Sequence, residues 1–142
     1  MRPVAFCLLE HDNRLLLQEF WHEHENYTFY RPPGGGIEHG ERAAEAMRRE
    51  LREELDARVS EPEFITVLEN IFDYGGVTKH EIVFLYRATV LDARVTAATE
   101  IILTDELPQR AVWVPLQRLQ ADDFILYPSE LKARLRELYP TL

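Results

Sequence analysis

The sequence predicts an α/β fold in which a mixed β-sheet lies between helices. Three observations carry that reading. The apolar, β-rich runs and the helical runs follow the order β-β-β-α-β-β-β-α-α, which suits an α/β or α+β sandwich and not a doubly wound parallel sheet. Two long β-rich runs, "EFITVLENIFDYG" and "KHEIVFLYRATVL", are joined by "GGVT", a glycine-based turn that makes them neighbours. The second of them is apolar on both parities at Ile82, Val83, Phe84 and Leu85, the pattern of a central strand covered on both faces.

The elements follow in order. "PVAFCLLE" and "RLLLQEF" are strands separated by "HDN", where Asp12 and Asn13 tolerate turn backbone, so they form a hairpin. "WHEHEN" reads as a polar loop, and "YTFYRPP" as a short aromatic strand ended by two prolines. A loop of three glycines, Gly34 to Gly36, leads into a helix from about Glu41 to Asp56. "RAVWVPL" is a further short strand, and "PLQRLQAD" reads as a helix. The last helix, "YPSELKARLRELY", is opened by Pro128 and Ser129 and repeats Leu131, Leu135 and Leu138 at helical spacing. With no repeat, linker or low-complexity tract, residues 1–142 read as one domain.

Composition narrows the function classes. With 142 residues the chain is long enough to bury a core without staples, and 46% apolar with 29% charged residues is ordinary globular usage. Cys7 is the single cysteine, so no internal disulfide forms and no oxidising compartment is required. Nothing reaches the roughly 18 apolar residues of a membrane span, and the N-terminal apolar run is short for a signal peptide, so the expectation is a cytoplasmic protein without membrane partners. Asp and Glu number 25 against 16 Lys and Arg, which excludes general nucleic-acid binding through counterion release. A small polyphosphate remains compatible, provided divalent cations stand between the two sets of negative charge.

The helix after the glycines is where charge is spent unusually. At 100° per residue, Ala44, Met47, Leu51 and Leu55 fall within about 80° and form the buried stripe. Glu54, Glu50 and Glu53 occupy a flank of about 100°, while Arg48 and Arg52 lie on the opposite flank. Arg49 projects at the outer edge of the acidic arc, within i,i+4 reach of Glu53. A helix shaped only for solubility mixes its signs, although a charged wet face is the ordinary alternative. The preceding "PPGGG" leaves backbone groups unobstructed near the helix start. Three carboxylates and an open carbonyl are an all-oxygen environment suited to Mg²⁺ or Mn²⁺, and the absence of His and Cys from the arc disfavours zinc.

These residues resemble the Nudix box, G-x5-E-x7-R-E-U-x-E-E-x-G-U with U apolar. Gly35, Glu41, Arg49, Glu50, Leu51, Glu53 and Glu54 all match, while Asp56 stands at the final glycine and Ala57 at the last apolar position. Asp can adopt the left-handed turn that such a glycine supplies, at modest cost. The resemblance implies a Nudix-type α/β/α sandwich and hydrolysis of a phosphoanhydride in a nucleoside diphosphate linked to another group. It implies Glu50, Glu53 and Glu54 as Mg²⁺ ligands, with the Gly34 carbonyl beside them, and Arg49 and Glu41 as residues that orient the carboxylates. "VWVPLQRL" resembles the family's Trp-containing strand and following helix. The general base is Glu50, or else a later carboxylate among Glu100, Asp105 and Glu106. Nucleoside triphosphates lead the candidate substrates, ahead of ADP-ribose or a nucleotide-sugar and dinucleoside polyphosphates; a non-catalytic nucleotide sensor is the alternative, and a homodimer is common in the family.

Arg31 and Tyr30, just before the box, with Gly35 and Gly36 at its start, are the expected substrate contacts: Arg31 for phosphate or ribose, and Tyr27, Phe29 or Tyr30 for base stacking, against the alternative that this strand fills the core. His22 and His24 read as loop polarity, and His39 as solvent-facing. Asn70, Asp73 and Tyr74 read as strand surface unless they flank a pocket. Cys7 reads as inert core.

Overall fold

Strand β1 (Arg2–His11) lies at the centre of the sheet because its residues are apolar on both parities. The computed structural model describes residues 1–103 and 109–140. Ala5, Cys7 and Leu9 enter one hydrophobic core, and Val4, Phe6 and Leu8 enter a second core. The remaining elements are β2 (Arg14–His22), β3 (Tyr27–Arg31), β4 (Gly34–Gly36), α1 (Ala43–Leu55), β5 (Glu63–Tyr74), β6 (Val77–Ala88), α2 (Ala93–Thr96), β7 (Glu100–Leu103), β8 (Gln109–Pro115) and α3 (Leu131–Leu138).

The sheet order is β5-β6-β1-β2-β8-β7, with β3 added to β2 and β4 added to β1. It is mixed, since β1 runs parallel to β6 and antiparallel to β2 and β4. The expected α/β/α sandwich is thus observed. The expected hairpins form too, with Asp12 and Asn13 at φ 51° and 58° in the first turn and Gly75 and Gly76 at positive φ in the second.

Strands β1 and β2 pair only beside their turn, at Glu10 with Leu15 and His11 with Arg14. Beyond that point β1 takes β6 and β4 as partners, and β2 takes β8 and β3. The sheet therefore splits into two halves that diverge from one hairpin, and the cleft between them holds the candidate site.

Several expectations change. The three glycines form the short strand β4 and not a loop, because their missing side chains let the backbone lie against β1. A Cβ on Gly34 would stand 1.9 Å from the Ala5 carbonyl oxygen. "PLQRLQAD" yields only a 3₁₀ turn at Arg118–Gln120; so short a segment cannot repay helix nucleation, and an Arg118–Asp123 ion pair closes it. Strand β6 is interior but stands next to edge strand β5, so Val83 and Leu85 are buried while Ile82 and Phe84 are half-covered. His22 ends β2 and is buried. The short elements α2 and β7 carry no strong periodic signal; α2 is capped by Asp92, whose Oδ1 accepts from the Arg94 amide at 3.0 Å. No helix among the described residues is long and apolar enough to cross a membrane.

Candidate active site

Helix α1 packs Ala46, Met47, Leu51 and Leu55 into the first core, which fixes its rotation. Ala44 of the expected stripe is only half-buried, and Ala46 takes the deeper place. That rotation turns Glu50 and Glu54 toward β4 and β2. Gly35 lies against Glu50 so closely that a Cβ there would meet the carboxylate at 2.7 Å. Gln18 of β2 donates from Nε2 to Glu54 Oε2 at 2.5 Å, and the Gly34 backbone also hydrogen-bonds this carboxylate.

Arg49 braces the group from outside. Its Nε and Nη2 donate to the two oxygens of Glu41 at 2.8 and 2.9 Å, Nη2 also donates to the Gly36 carbonyl at 3.0 Å, and Nη1 donates to Glu50 Oε1 at 3.0 Å. Glu41 is turned back by the Glu38 amide, which donates to it at 3.1 Å. One guanidinium thus ties the helix, the segment before it and strand β4 together. The Arg49 hydrogen bonds hold the Glu41 carboxyl down at about 2. Hydrogen bonding to Glu41 likewise raises Arg49 above its ordinary value.

Glu54 is perturbed in the opposite sense. Burial, then the adjacent Glu50 charge, pushes it up to about 8. Two neighbouring carboxylates that resist joint ionisation are the electrostatic condition a divalent cation relieves, and every nearby donor is oxygen. The residues therefore fit Mg²⁺ or Mn²⁺. Among the described residues no three His, Cys, Asp or Glu side chains form a ready-made cage. Glu53 stands at the exposed rim, where Arg49 Nη1 donates to it at 3.4 Å. One or two carboxylates, with substrate phosphates completing the shell, is the usual mode for Mg²⁺.

Asp56 takes φ 47° and ψ 45°, the left-handed conformation that its box position requires. Its amide donates to the Arg52 carbonyl at 3.1 Å, and Arg94 Nη2 donates to its carbonyl at 2.9 Å. The helix end is closed without glycine.

Arg31 lies in the cleft, its guanidinium 4.4 Å from the Phe20 ring centre and 5.5 Å from that of Phe6. Burial lowers its pKa, and its strongest attraction comes from Glu81. Tyr30 does not reach the cleft. Alternation along β3 turns it to the far face, where its ring stacks on Phe124 at 4.6 Å and its hydroxyl donates to Glu19 at 2.9 Å. Phe29 and Tyr27 share the Arg31 face instead. Glu100 binds Arg110 at 2.7 Å on β7, while Asp105 and Glu106 lie outside the described residues.

Cys7 is buried in the core and its thiol is pushed up to about 12 by burial, as befits an inert residue. His22 packs against Tyr27 and Tyr74, with ring centres 4.7 Å away in each case. Sequence reasoning missed Gln18 and Glu81 and put Asn70 on the surface. The available signal was a polar residue inside an apolar strand, and all three are buried.

Fold and site together define a class: an α/β/α sandwich whose acidic helix and glycine strand make one oxygen-lined site. The chain belongs to the Nudix family, since the family model for the NUDIX domain matches residues 1–141. It is similar to an RNA pyrophosphohydrolase of Francisella tularensis subsp. mediasiatica, with 37% identity over 71 residues, 50% of this chain and 43% of that protein. The match thus spans under half the length of that curated relative. Among solved structures, a NUDIX hydrolase from Nitrosomonas europaea shares the fold with a TM-score of 0.71 and 20% identity, over 99% of this chain and 88% of the other. The E. coli ORF135 protein aligns with a TM-score of 0.60 and 25% identity, over 100% of this chain and 95% of that one.

Proposed function

We propose that this chain is a divalent-cation-dependent hydrolase that cuts a phosphoanhydride bond of a small nucleotide by attack of water at phosphorus. The observation that carries the reading is the Glu50–Glu54 pair, docked on β4 and braced by Arg49 and Glu41. Mg²⁺ held by Glu50 and Glu54, with Glu53 and the Gly34 carbonyl at the rim, would shield the polyphosphate charge and acidify water. Gln18 and the Gly34 backbone fix the position of Glu54. Arg49 sets the angle of Glu50 through Oε1 and neutralises the outer side of the cluster. Glu50 is assigned the proton of the attacking water, because it stands beside Glu54 against β4, whereas Glu100, the later alternative within the described residues, is exposed on β7 and paired with Arg110.

Nucleoside triphosphates are the favoured substrates, ahead of ADP-ribose, nucleotide-sugars and dinucleoside polyphosphates. The printed activity of the Francisella relative suggests a second reading, the 5′-polyphosphate end of an RNA. The net charge of −9 supports a short substrate over a long strand. The test is a panel of these compounds, with Mg²⁺ and with chelator, and identification of the products. Mg²⁺-dependent release of a nucleoside monophosphate supports the reading. Tight binding with no turnover of any member would instead support a nucleotide sensor.

A further inference from the structure

The far end of the cleft contains groups that the hydrolytic chemistry does not use. Two aromatic walls face each other there: Phe72 and Tyr74 project from β5 on one side, and Phe20 and Phe29 from β2 and β3 on the other. The latter two rings are stacked at 5.2 Å. The groove they border measures about 670 Å³, within the range of nucleotide-sized sites. It shares Phe29, Arg31, Phe72, Tyr74 and Glu81 with an inner recess of about 70 Å³. Sharing these lining residues, recess and groove adjoin, so a ring held in the groove can present its edge to the recess.

Polar groups line the recess, and they are incompletely satisfied. Glu81 is a carboxylate only 6% exposed. Asn70 Nδ2 donates to its Oε1 at 3.3 Å, and Arg2 Nη1 donates to its Oε2 at 3.3 Å. Both contacts are long for charge-assisted bonds, which run about 2.7–2.9 Å, and each oxygen keeps lone-pair capacity. Arg31 Nε is buried and has no hydrogen-bond partner among the described residues. A buried acceptor with spare capacity and a buried donor without a partner among the described residues thus belong to two side chains, Glu81 and Arg31, that line one recess between aromatic walls. Either costs free energy unless a ligand completes it.

We propose that Glu81, together with Arg31, reads the edge of the substrate's nucleobase and selects bases that carry an exocyclic amino group. The amino N–H donates to the Glu81 carboxylate while the neighbouring ring nitrogen or carbonyl accepts from Arg31 Nε, and the aromatic walls hold the ring. Guanine, cytosine and adenine each present an amino donor beside an acceptor. Uracil and thymine present carbonyl oxygens on both sides of a single N–H, so placing that N–H on Glu81 sets an oxygen against the carboxylate. Rejection follows from leaving the buried groups unpaired.

This inference rests on the nucleotide-hydrolase reading, so the test separates the two. Turnover with Mg²⁺ is compared for guanosine and xanthosine triphosphates, which carry an amino group and a carbonyl respectively at the 2-position, and for cytidine and uridine triphosphates. Binding of non-hydrolysable analogues of the same pairs is measured by calorimetry. The expected result is at least about a hundredfold preference for the amino-bearing member of each pair, below the 10⁴–10⁵ ceiling of such sites. In Glu81→Gln the ratio falls to within a few-fold, chiefly through KM. Equal turnover and equal binding within both pairs overturn the inference while leaving the hydrolase reading intact. Discrimination in binding without turnover supports the recognition edge and overturns hydrolysis. Failure of every nucleotide to bind overturns both. Should Glu81→Gln not fold, the wild-type ratios alone decide the matter.

Discussion

The two ends of the cleft are built on different principles. At the carboxylate end, Arg49, Glu50, Glu53 and Glu54 are brought together by the geometry of α1, and Glu41, from the segment just before it, is held by Arg49. At the aromatic end, Phe20, Phe29, Phe72, Glu81 and Tyr127 come from separate elements and meet only because β1 and β2 part company after two residue pairs. The first end is set by local periodicity and the second by topology. Chemistry can thus stay fixed within this scaffold while recognition changes strand by strand.

The largest effect is expected at the local end. Glu54→Gln removes the carboxylate that Gln18 and Gly34 position, and steady-state turnover with Mg²⁺ should fall at least about a hundredfold. Glu53→Gln, at the exposed rim, should cost less than Glu54→Gln; the reverse order would move the metal outward. Gly35→Ala comes next, since its methyl must displace the Glu50 carboxylate, and a misplacement of about 1 Å can cost about a hundredfold. Circular dichroism should show the fold of that variant retained while kcat falls.

At the topological end, Phe72→Ala should raise KM by about five- to a hundredfold with kcat nearly kept, the range of a lost stacking contact. An equal loss in kcat would mean that this wall also serves the reaction.

Two smaller effects concern stability. In chelator, native Glu54 holds its proton more tightly than the unfolded chain does, because burial and Glu50 raise its pKa. The native state therefore binds more protons between the ordinary carboxylate range and about pH 8, and stability should fall as pH rises through that window. Denaturant titrations across it should show the slope reduced in Glu54→Gln and in wild type with Mg²⁺. The smallest effect is Asp56→Gly, which relieves left-handed backbone strain and should stabilise by about 1 kcal/mol or less.

How much was legible follows the same division. The helix, its buried stripe, the acidic flank and the Arg49 position all follow from periodicity within one segment, and the structure agrees to within a residue or two. The glycine strand was not legible, because a Gly run has no side-chain pattern and its pairing is fixed by β1. Whether Tyr30 or Phe29 looks into the cleft depends on the phase of β3, and that phase is set by pairing with β2. Gln18 and Glu81 carry no local mark that separates a buried polar strand residue from a wet one; the packing of the two half-sheets makes them buried.

The central claim is that the Glu50–Glu54 pair on α1 makes this chain a metal-dependent phosphoanhydride hydrolase. Its most direct test is the rate of nucleoside monophosphate release from nucleoside triphosphates by wild type and Glu54→Gln, each with Mg²⁺ and with chelator. The account predicts turnover only in wild type with Mg²⁺. Undiminished release by Glu54→Gln, or by wild type in chelator, would contradict it.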